Sequence, residues 1–403
     1  MDGELEGKEI LDFVREMVWG LGNGCGGDES NYQKFVVKNS TPFFLNKRGL
    51  QNKKEKEKSV FQLNAVQNLK DCRFVGSAHG WLVLLNNKSN PFLLDIISET
   101  RFQLPEKQTF PHIQGVREIE NEGFEIQYKG EKDSACYSLK TIQEWLMVKA
   151  VLSGNPSCNG NYVVITMYDL HCRSKLALCR PGDNGWTGLC GELDSYDDIV
   201  CHENLLCALG CGPSVEIWDL NESSPRSKMM IQVDCPRKFT EVHKIYPRDL
   251  YTAKWYLASS SEDLFFVVRY IGEFVRYDGE VIYEGDTLTH NTSQPLVCPY
   301  KTVRFDVYKL DCKQKKWLEV ESLNDIALFV GGNHSALLQV KEYPGCKANA
   351  IYFTDDYWDR MDEDIYYGGH DMGVFNMRDG SIEPFFDCDQ ERFEPPPFWI
   401  VPN

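Results

Sequence analysis

The chain has no stretch of eighteen consecutive apolar residues, the length a membrane-crossing helix needs. Its start, Met1-Asp2-Gly3-Glu4-Leu5-Glu6, is acidic. A secretory signal needs a basic start and an apolar core, and a transit peptide needs Arg and few acids. These absences predict an intracellular protein, in nucleus or cytoplasm, with no membrane partner. Basic charge is also short. Lys and Arg number 43 against 60 Asp and Glu, for a net charge of −17. Nucleic-acid binding needs a basic face, so it is not expected either.

Chemical motifs are missing as well. The 15 cysteines include no Cys-x-x-Cys knuckle. The cluster His171, Cys172, Cys179, Cys190, Cys201, His202, Cys207 and Cys211 therefore reads as thiols packed in strands rather than as a metal site. No metal ligands and no cofactor are expected. The glycine-rich residues 20–27 lack a preceding strand and a Gly-Lys-Ser/Thr sequel, so they do not read as a nucleotide loop. No Gly-x-Ser-x-Gly elbow occurs. Gly76-Ser77-Ala78-His79-Gly80 brings Ser and His close, but strand follows strand there, and His79 is expected to be structural. No catalytic residue is assigned. Five Asn-x-Ser/Thr sequons, at Asn39, Asn87, Asn221, Asn291 and Asn333, read as chance matches in an intracellular chain.

What the chain does have is short strands. Residues 72–105 read as four of them: Phe74-Val75, Trp81 to Leu85, Phe92 to Ile97, and a last one carrying Phe102 and Leu104. Starts about ten residues apart signal a sandwich, barrel or propeller. A four-residue signature then recurs at strand ends: Leu93-Leu94-Asp95-Ile96, Met167-Tyr168-Asp169-Leu170, Ile217-Trp218-Asp219-Leu220, Val307-Tyr308-Lys309-Leu310 and Val374-Phe375-Asn376-Met377. Period two puts its second residue on one face and its neighbours on the other. The spacing is uneven, which a strict solenoid would not tolerate and the loop faces of a propeller do. The predicted fold is all-β: a β-propeller of about six four-stranded blades, with five or seven as alternatives. Strands at residues 42–45 and 60–63 and the terminal Phe398-Trp399-Ile400-Val401 are expected to close the ring. Residues 1–33 are set apart as a short helix, from Ile10, Leu11, Phe13, Val14, Met17, Val18 and Leu21, and a flexible Gly-rich segment. Residues 34–403 form the propeller domain.

One loop is dense in acids and aromatics: Asp355, Asp356, Tyr357, Trp358, Asp359, Tyr366 and Tyr367 stand out in it. Its spacing does not match a calcium loop. A solvated connection is one reading. The other is a partner-binding surface, since Tyr and Trp are favoured anchors.

Gly76-Ser77-Ala78-His79-Gly80-Trp81-Leu82, with Asn90-Pro91 and Leu104-Pro105, resembles the first block of the KIB-type β-propeller domain of plant proteins. Later blocks match too: Ala327-Leu328-Phe329-Val330-Gly331, Asn349-Ala350-Ile351-Tyr352-Phe353-Thr354-Asp355-Asp356, Gly373-Val374-Phe375-Asn376-Met377, Asp379-Gly380-Ser381-Ile382-Glu383-Pro384 and Pro395-Pro396-Pro397-Phe398-Trp399. The resemblance covers about residues 35–403. It implies a propeller that binds protein partners. In many members an N-terminal F-box docks a Skp-type adaptor of an SCF ubiquitin ligase. Residues 1–33 carry no Leu-Pro-rich helical text, so partner binding is expected here and adaptor docking is not. The alternative is an enzyme or small-ligand binder using the central channel.

Overall fold

The structure is a computed structural model. It describes residues 35–36, 60–61 and 398–399, and residues 72–385 except 96–97, 120–122, 159, 170–172, 203, 211, 223–226, 232–243, 261–262, 277, 284–296, 344 and 358–367. The N-terminal helix, the glycine-rich segment and the strand expected at 42–45 lie outside the described residues. The chain divides into two compact units: the described residues up to Ile231 together with Trp399 form the first, and those from 244 to Phe398 the second. Almost every element is a strand.

The first unit begins with a two-stranded pair, β1 (Phe35–Val36) and β2 (Val60–Phe61). Four antiparallel strands follow in order: β3 (Arg73–Ala78), β4 (Trp81–Leu85), β5 (Pro91–Asp95) and β6 (Arg101–Gln103). His79 and Gly80 have φ of 52° and 76°, and Ala78 faces Trp81 across them. Two positive φ angles are what a two-residue hairpin turn needs, so the turn sits at His79-Gly80. Gly76 lies inside β3. A Cβ there would fall 2.1 Å from the Ala150 carbonyl oxygen, so the missing side chain lets two backbones meet. All of β4 is buried, as its unbroken apolar run demands. The outermost β6 is exposed and ends in polar residues, which blunts the edge.

A three-stranded sheet comes next: β7 (Ile113–Ile119), β8 (Gly123–Tyr128) and β9 (Ser134–Tyr137). It leads into helix α1 (Leu139–Trp145), whose Ser138 accepts from Thr141 N at 3.1 Å as its cap. Then come β10 (Lys149–Leu152), β11 (Val164–Asp169), β12 (Ser174–Cys179) and β13 (Thr187–Leu189) as one sheet. The next holds β14 (Tyr196–His202), β15 (Leu205–Gly210), β16 (Val215–Asp219) and β17 (Ser227–Ile231). Strand β10 touches β3 at Gly76 and β14 through a buried Lys149–Asp198 ion pair of 2.5 Å. The β7–β9 sheet therefore stands aside from the succession of four-stranded sheets. Its Phe124, Ile126 and Tyr128 join the core shared with Val75, Trp81, Tyr168 and Trp186. Ser77 Oγ donates to the Trp399 carbonyl at 2.7 Å, and Trp399 is buried.

The second unit holds two sheets. One is β18 (Tyr251–Ser259), β19 (Leu264–Arg276), β20 (Val297–Asp311) and β21 (Lys316–Glu319). The other comprises β22 (Ile326–Val330), β23 (Ala336–Gln339), β24 (Ala350–Phe353), β25 (Gly373–Asn376) and β26 (Ile382–Pro384). In it β23 lies outermost beside β22, and β22 pairs with β24 in parallel. One face of each sheet supplies a common core that includes Tyr256, Val267, Phe305, Leu328, Ile351 and Phe375.

The propeller fold holds, as multiple four-stranded antiparallel sheets with few helices. Uniformity does not. Among the described residues the sheets have two, three, four or five strands. The second residue of every signature, Leu94, Tyr168, Trp218, Tyr308 and Phe375, is buried as period two requires. Four signatures sit on the strand next to the sheet's outer edge, in β5, β16, β20 and β25. The fifth is one strand further in, on β11, because Val164 and Ile165 run on into the signature as one continuous strand.

Candidate functional site

The acidic segment after β24 leads not to solvent but to a buried arginine. Arg269 lies in the middle of β19, opposite Lys254 on β18 and Phe305 on β20. Period two turns its side chain to the face that packs on the β22–β26 sheet. It has no exposed surface, and its guanidinium lies 4.8 Å from the centre of the Phe353 ring.

Five donor hydrogens make a planar fork, and here the fork is filled. Nε donates to Thr302 Oγ1 at 2.7 Å. Nη1 donates to the Thr354 carbonyl at 2.8 Å and to Asp356 Oδ1 at 3.0 Å. Nη2 reaches the Asp371 carbonyl and Asp371 Oδ2, both at 2.9 Å. Thus one side chain from one sheet holds both ends of the connection between β24 and β25 in the other. Tyr256 OH also donates to Asp356 Oδ1, at 3.1 Å. Lys254 Nζ donates to the Asp356 carbonyl and lies 3.6 Å from Oδ1. The Thr302 amide donates to Asp371 Oδ1 at 2.9 Å.

Asp355 is held by neutral donors. Tyr300 OH reaches its Oδ2 at 2.7 Å, the Asp371 amide the same oxygen at 3.1 Å, and the Tyr357 amide its Oδ1 at 3.3 Å. Burial first, and Asp371 second, push its carboxyl up to about 6, against the pull of Arg269 and Tyr300. For Arg269, burial opposes the charge. Tyr256, Asp371, Asp356 and Asp355 together outweigh it, and the guanidinium is held above its ordinary value.

Tyr357 is half-buried at the edge of this network. Its hydroxyl donates to Glu273 Oε1 at 2.7 Å, and its ring meets Tyr300 edge-on at 5.3 Å. It packs against a satellite core of Ile271, Val275, Cys298 and Tyr300 on the projecting ends of β19 and β20.

Neither sequence reading of this loop, a solvated connection or a partner-binding surface, describes Asp355 and Asp356, which are buried. Asp355 is 0% exposed and Asp356 2%, because ion pairing and hydrogen bonding to Arg269, Tyr256 and Tyr300 take their carboxylates out of water. Trp358, Asp359, Tyr366 and Tyr367 lie outside the described residues. Asp371 belongs to the same acidic, aromatic stretch read from the sequence, whereas Arg269 and Thr302 were not singled out there. The signal for Arg269 was a lone cation between the apolar runs 264–268 and 270–271. The carboxylates are paired so closely with protein donors that the cluster offers no open face for acid–base chemistry. It works as a clamp.

Cys179 and Cys207 are buried in β12 and β15, and burial pushes the Cys179 thiol up. Among the described residues no group of three His, Cys, Asp or Glu is placed to hold a metal ion. No helix among them is long and apolar enough to cross a membrane. His79 is exposed at its turn.

Residues 50–376 match a family described as the KIB1-4 beta-propeller. The F-box protein SKIP23 of Arabidopsis thaliana is 25% identical over 335 residues, 80% of this chain and 74% of that protein. The F-box protein At2g26160 of the same plant is 30% identical over 206 residues, 47% of this chain and 59% of that protein. The chain thus spans about three fifths of this second relative. Among solved structures, the Cps50 (Swd1) beta-propeller domain of Myceliophteria thermophila covers 90% of this chain and 99% of its own, at 8% identity. Its TM-score of 0.26 carries no argument.

Proposed function

The chain belongs to the KIB1-4 β-propeller family, and from that premise we propose that it is an intracellular protein-binding propeller, related to substrate-recognition subunits of SCF-type ubiquitin ligases. The observation that carries the reading is the family match across residues 50–376, with F-box proteins as its relatives. The finer architecture belongs to the same proposal: about six blades, closed by strands from the two ends of the chain. The Ser77 bond to the Trp399 carbonyl supports the closure. Catalysis is not part of the proposal, because the described carboxylate cluster is sealed by its own protein donors.

The test is a pull-down from plant extract with the tagged chain, in nuclear and cytoplasmic fractions. A reproducible protein partner is expected, and recovery of none overturns the reading. Adaptor docking is tested apart from partner binding. Weak or no co-elution with a purified Skp-type adaptor is expected, since residues 1–33 hold no Leu-Pro-rich helical text. Clear co-elution would reverse that part.

A further inference from the structure

The connection between β12 and β13 is held at both ends. At one end Asp183 turns back on Arg180. Its amide donates to the Arg180 carbonyl at 3.1 Å, and its Oδ2 accepts from the Arg180 amide at 2.8 Å. At the other end Trp186 is buried and stacks on Phe110 with ring centroids 5.1 Å apart. Its Nε1 donates to the Pro105 carbonyl at 2.9 Å. Between these anchors lie Asn184, which is exposed, and Gly185, which is half-buried. Neither makes a hydrogen bond among the described residues. We propose that Asn184 is a site of spontaneous deamidation, converted in the folded chain to aspartate and isoaspartate through a ring closed with Gly185. The proposal is independent of the protein-binding reading above.

The reaction needs only water. The Gly185 amide nitrogen loses its proton to solvent hydroxide and attacks Asn184 Cγ. The N–Cγ bond forms, the Cγ–Nδ2 bond breaks, and Nδ2 leaves as ammonia with a proton taken from water. Water then opens the succinimide ring. Cleavage of the new N–Cγ bond leaves aspartate at position 184. Cleavage of the bond from the same nitrogen to the main-chain carbonyl carbon leaves isoaspartate, and the main chain then runs through the former side chain. One water enters and one ammonia leaves, with no oxidation or reduction.

Three features select this position. Gly185 has no Cβ to crowd the closing ring. Its N–H and the Asn184 carboxamide are uncommitted, so closure breaks no hydrogen bond. Exposure admits hydroxide and water. Every other asparagine among the described residues precedes a residue with a side chain. Two Asp-Gly pairs show the committed state. The Gly279 amide donates to the Arg276 carbonyl and the Gly380 amide to the Asn376 carbonyl, both at 2.9 Å. The side chains before them are held too. Asp278 Oδ1 accepts from the Glu280 amide at 3.0 Å, and Asp379 Oδ1 from the Ser381 amide at 2.9 Å. At Asn184 the isoaspartyl product puts an extra backbone atom between the Arg180–Asp183 turn and the Trp186 anchor, so β13 must take up the added length.

The purified full chain is aged at about pH 8 and about pH 6, beside the same chain unfolded in urea. Product is read peptide by peptide, by mass spectrometry and by methylation with an isoaspartyl methyltransferase and S-adenosylmethionine. That resolution is needed because two further pairs, Asn23-Gly24 and Asn159-Gly160, include residues outside the described ones. The folded chain should convert Asn184 within about tenfold of the unfolded rate, the factor that one hydrogen bond is worth. Conversion should be faster at the higher pH, because the amide anion rises with hydroxide. Gly185→Ala should slow it severalfold. The added Cβ would meet Thr109 Cβ at 3.4 Å, an ordinary contact, so that variant keeps its fold. Asp379→Asn creates an Asn-Gly pair whose glycine amide is bonded, and it should convert about tenfold more slowly relative to its own unfolded chain. No product at position 184 of the folded chain once the unfolded chain has converted overturns the proposal. So do equal folded-to-unfolded ratios at positions 184 and 379, or a Gly185→Ala chain that converts at the parent's rate. Hydrogen exchange at the β13 amides should be faster in the aged chain than in Asn184→Asp, and equal exchange would overturn the effect assigned to β13.

Discussion

Replacing Arg269 with methionine removes the guanidinium and keeps most of the side chain's length. Six acceptor contacts are lost: to Thr302 Oγ1, Thr354 O, Asp356 Oδ1, Tyr256 OH, Asp371 O and Asp371 Oδ2. The larger effect falls on the two aspartates, which stay buried without their cation. Breaking a buried ion pair by deleting one partner costs about 3–5 kcal/mol. The aspartate can escape by binding a proton, which at pH 7 costs an ordinary carboxylate about 4 kcal/mol. The two routes agree, so the second unit should lose about 4 kcal/mol at pH 7. The sign of the pH effect follows. In the variant the carboxylate pKa values rise in the folded state only, so the variant regains stability as pH falls. At pH 5 the protonation route costs only about 1.5 kcal/mol. Native-state hydrogen exchange at the amides of β19 and β24 reads this locally, without assuming that the two units unfold together. Arg269→Lys, which keeps the charge and loses the fork, should fall between the variant and the parent. A loss under about 1 kcal/mol at pH 7, or one that does not shrink on acidification, would refute the clamp.

Two other outcomes follow from geometry already described. Asp355 has its folded pKa raised to about 6, so its ionised form is disfavoured in the folded chain. Its contribution is most favourable at low pH and declines as pH rises from the ordinary aspartate range through 6. Between pH 5 and pH 7 the second unit should lose about 1 kcal/mol that the Asp355→Asn protein does not lose, read by the same exchange measurement. Gly76→Ala would put a methyl group 2.1 Å from the Ala150 carbonyl, a contact the backbone of β10 must move to relieve. A loss of about 1–3 kcal/mol in the first unit is expected, and an unchanged thermal transition would show that the strands part freely.

The strands were legible because period two and turn residues are local. Trp81 to Leu85 and the buried second residues of the signatures needed nothing beyond their neighbours to be read. Strand β10 was missed. It begins at Lys149, and a lysine with 3% exposure reads as a surface residue until Asp198 is known to lie beside it. The same blindness hid the clamp. Arg269 meets Thr354, Asp356 and Asp371 across 85 to 102 residues of sequence, and no window spans that. Asp355 and Asp356 read as solvated because acids usually are. Their burial is set by partners on β19 and β20, which composition does not record.

Anchoring both ends of one connection to a single distant side chain also orders events in time. The hairpins β18–β19 and β20–β21 close short loops, whereas Arg269 must wait for Asp371, 102 residues away. Loop-closure entropy makes such a bond late. The guanidinium is therefore a bolt shot after the sheets have assembled. Contacts absent from the folding transition state govern how long a native structure lasts rather than how fast it forms. The four bonds of Arg269 to Thr354, Asp356 and Asp371 thus belong to the lifetime of the second unit, and with it to the resistance of the β24–β25 connection to proteolysis.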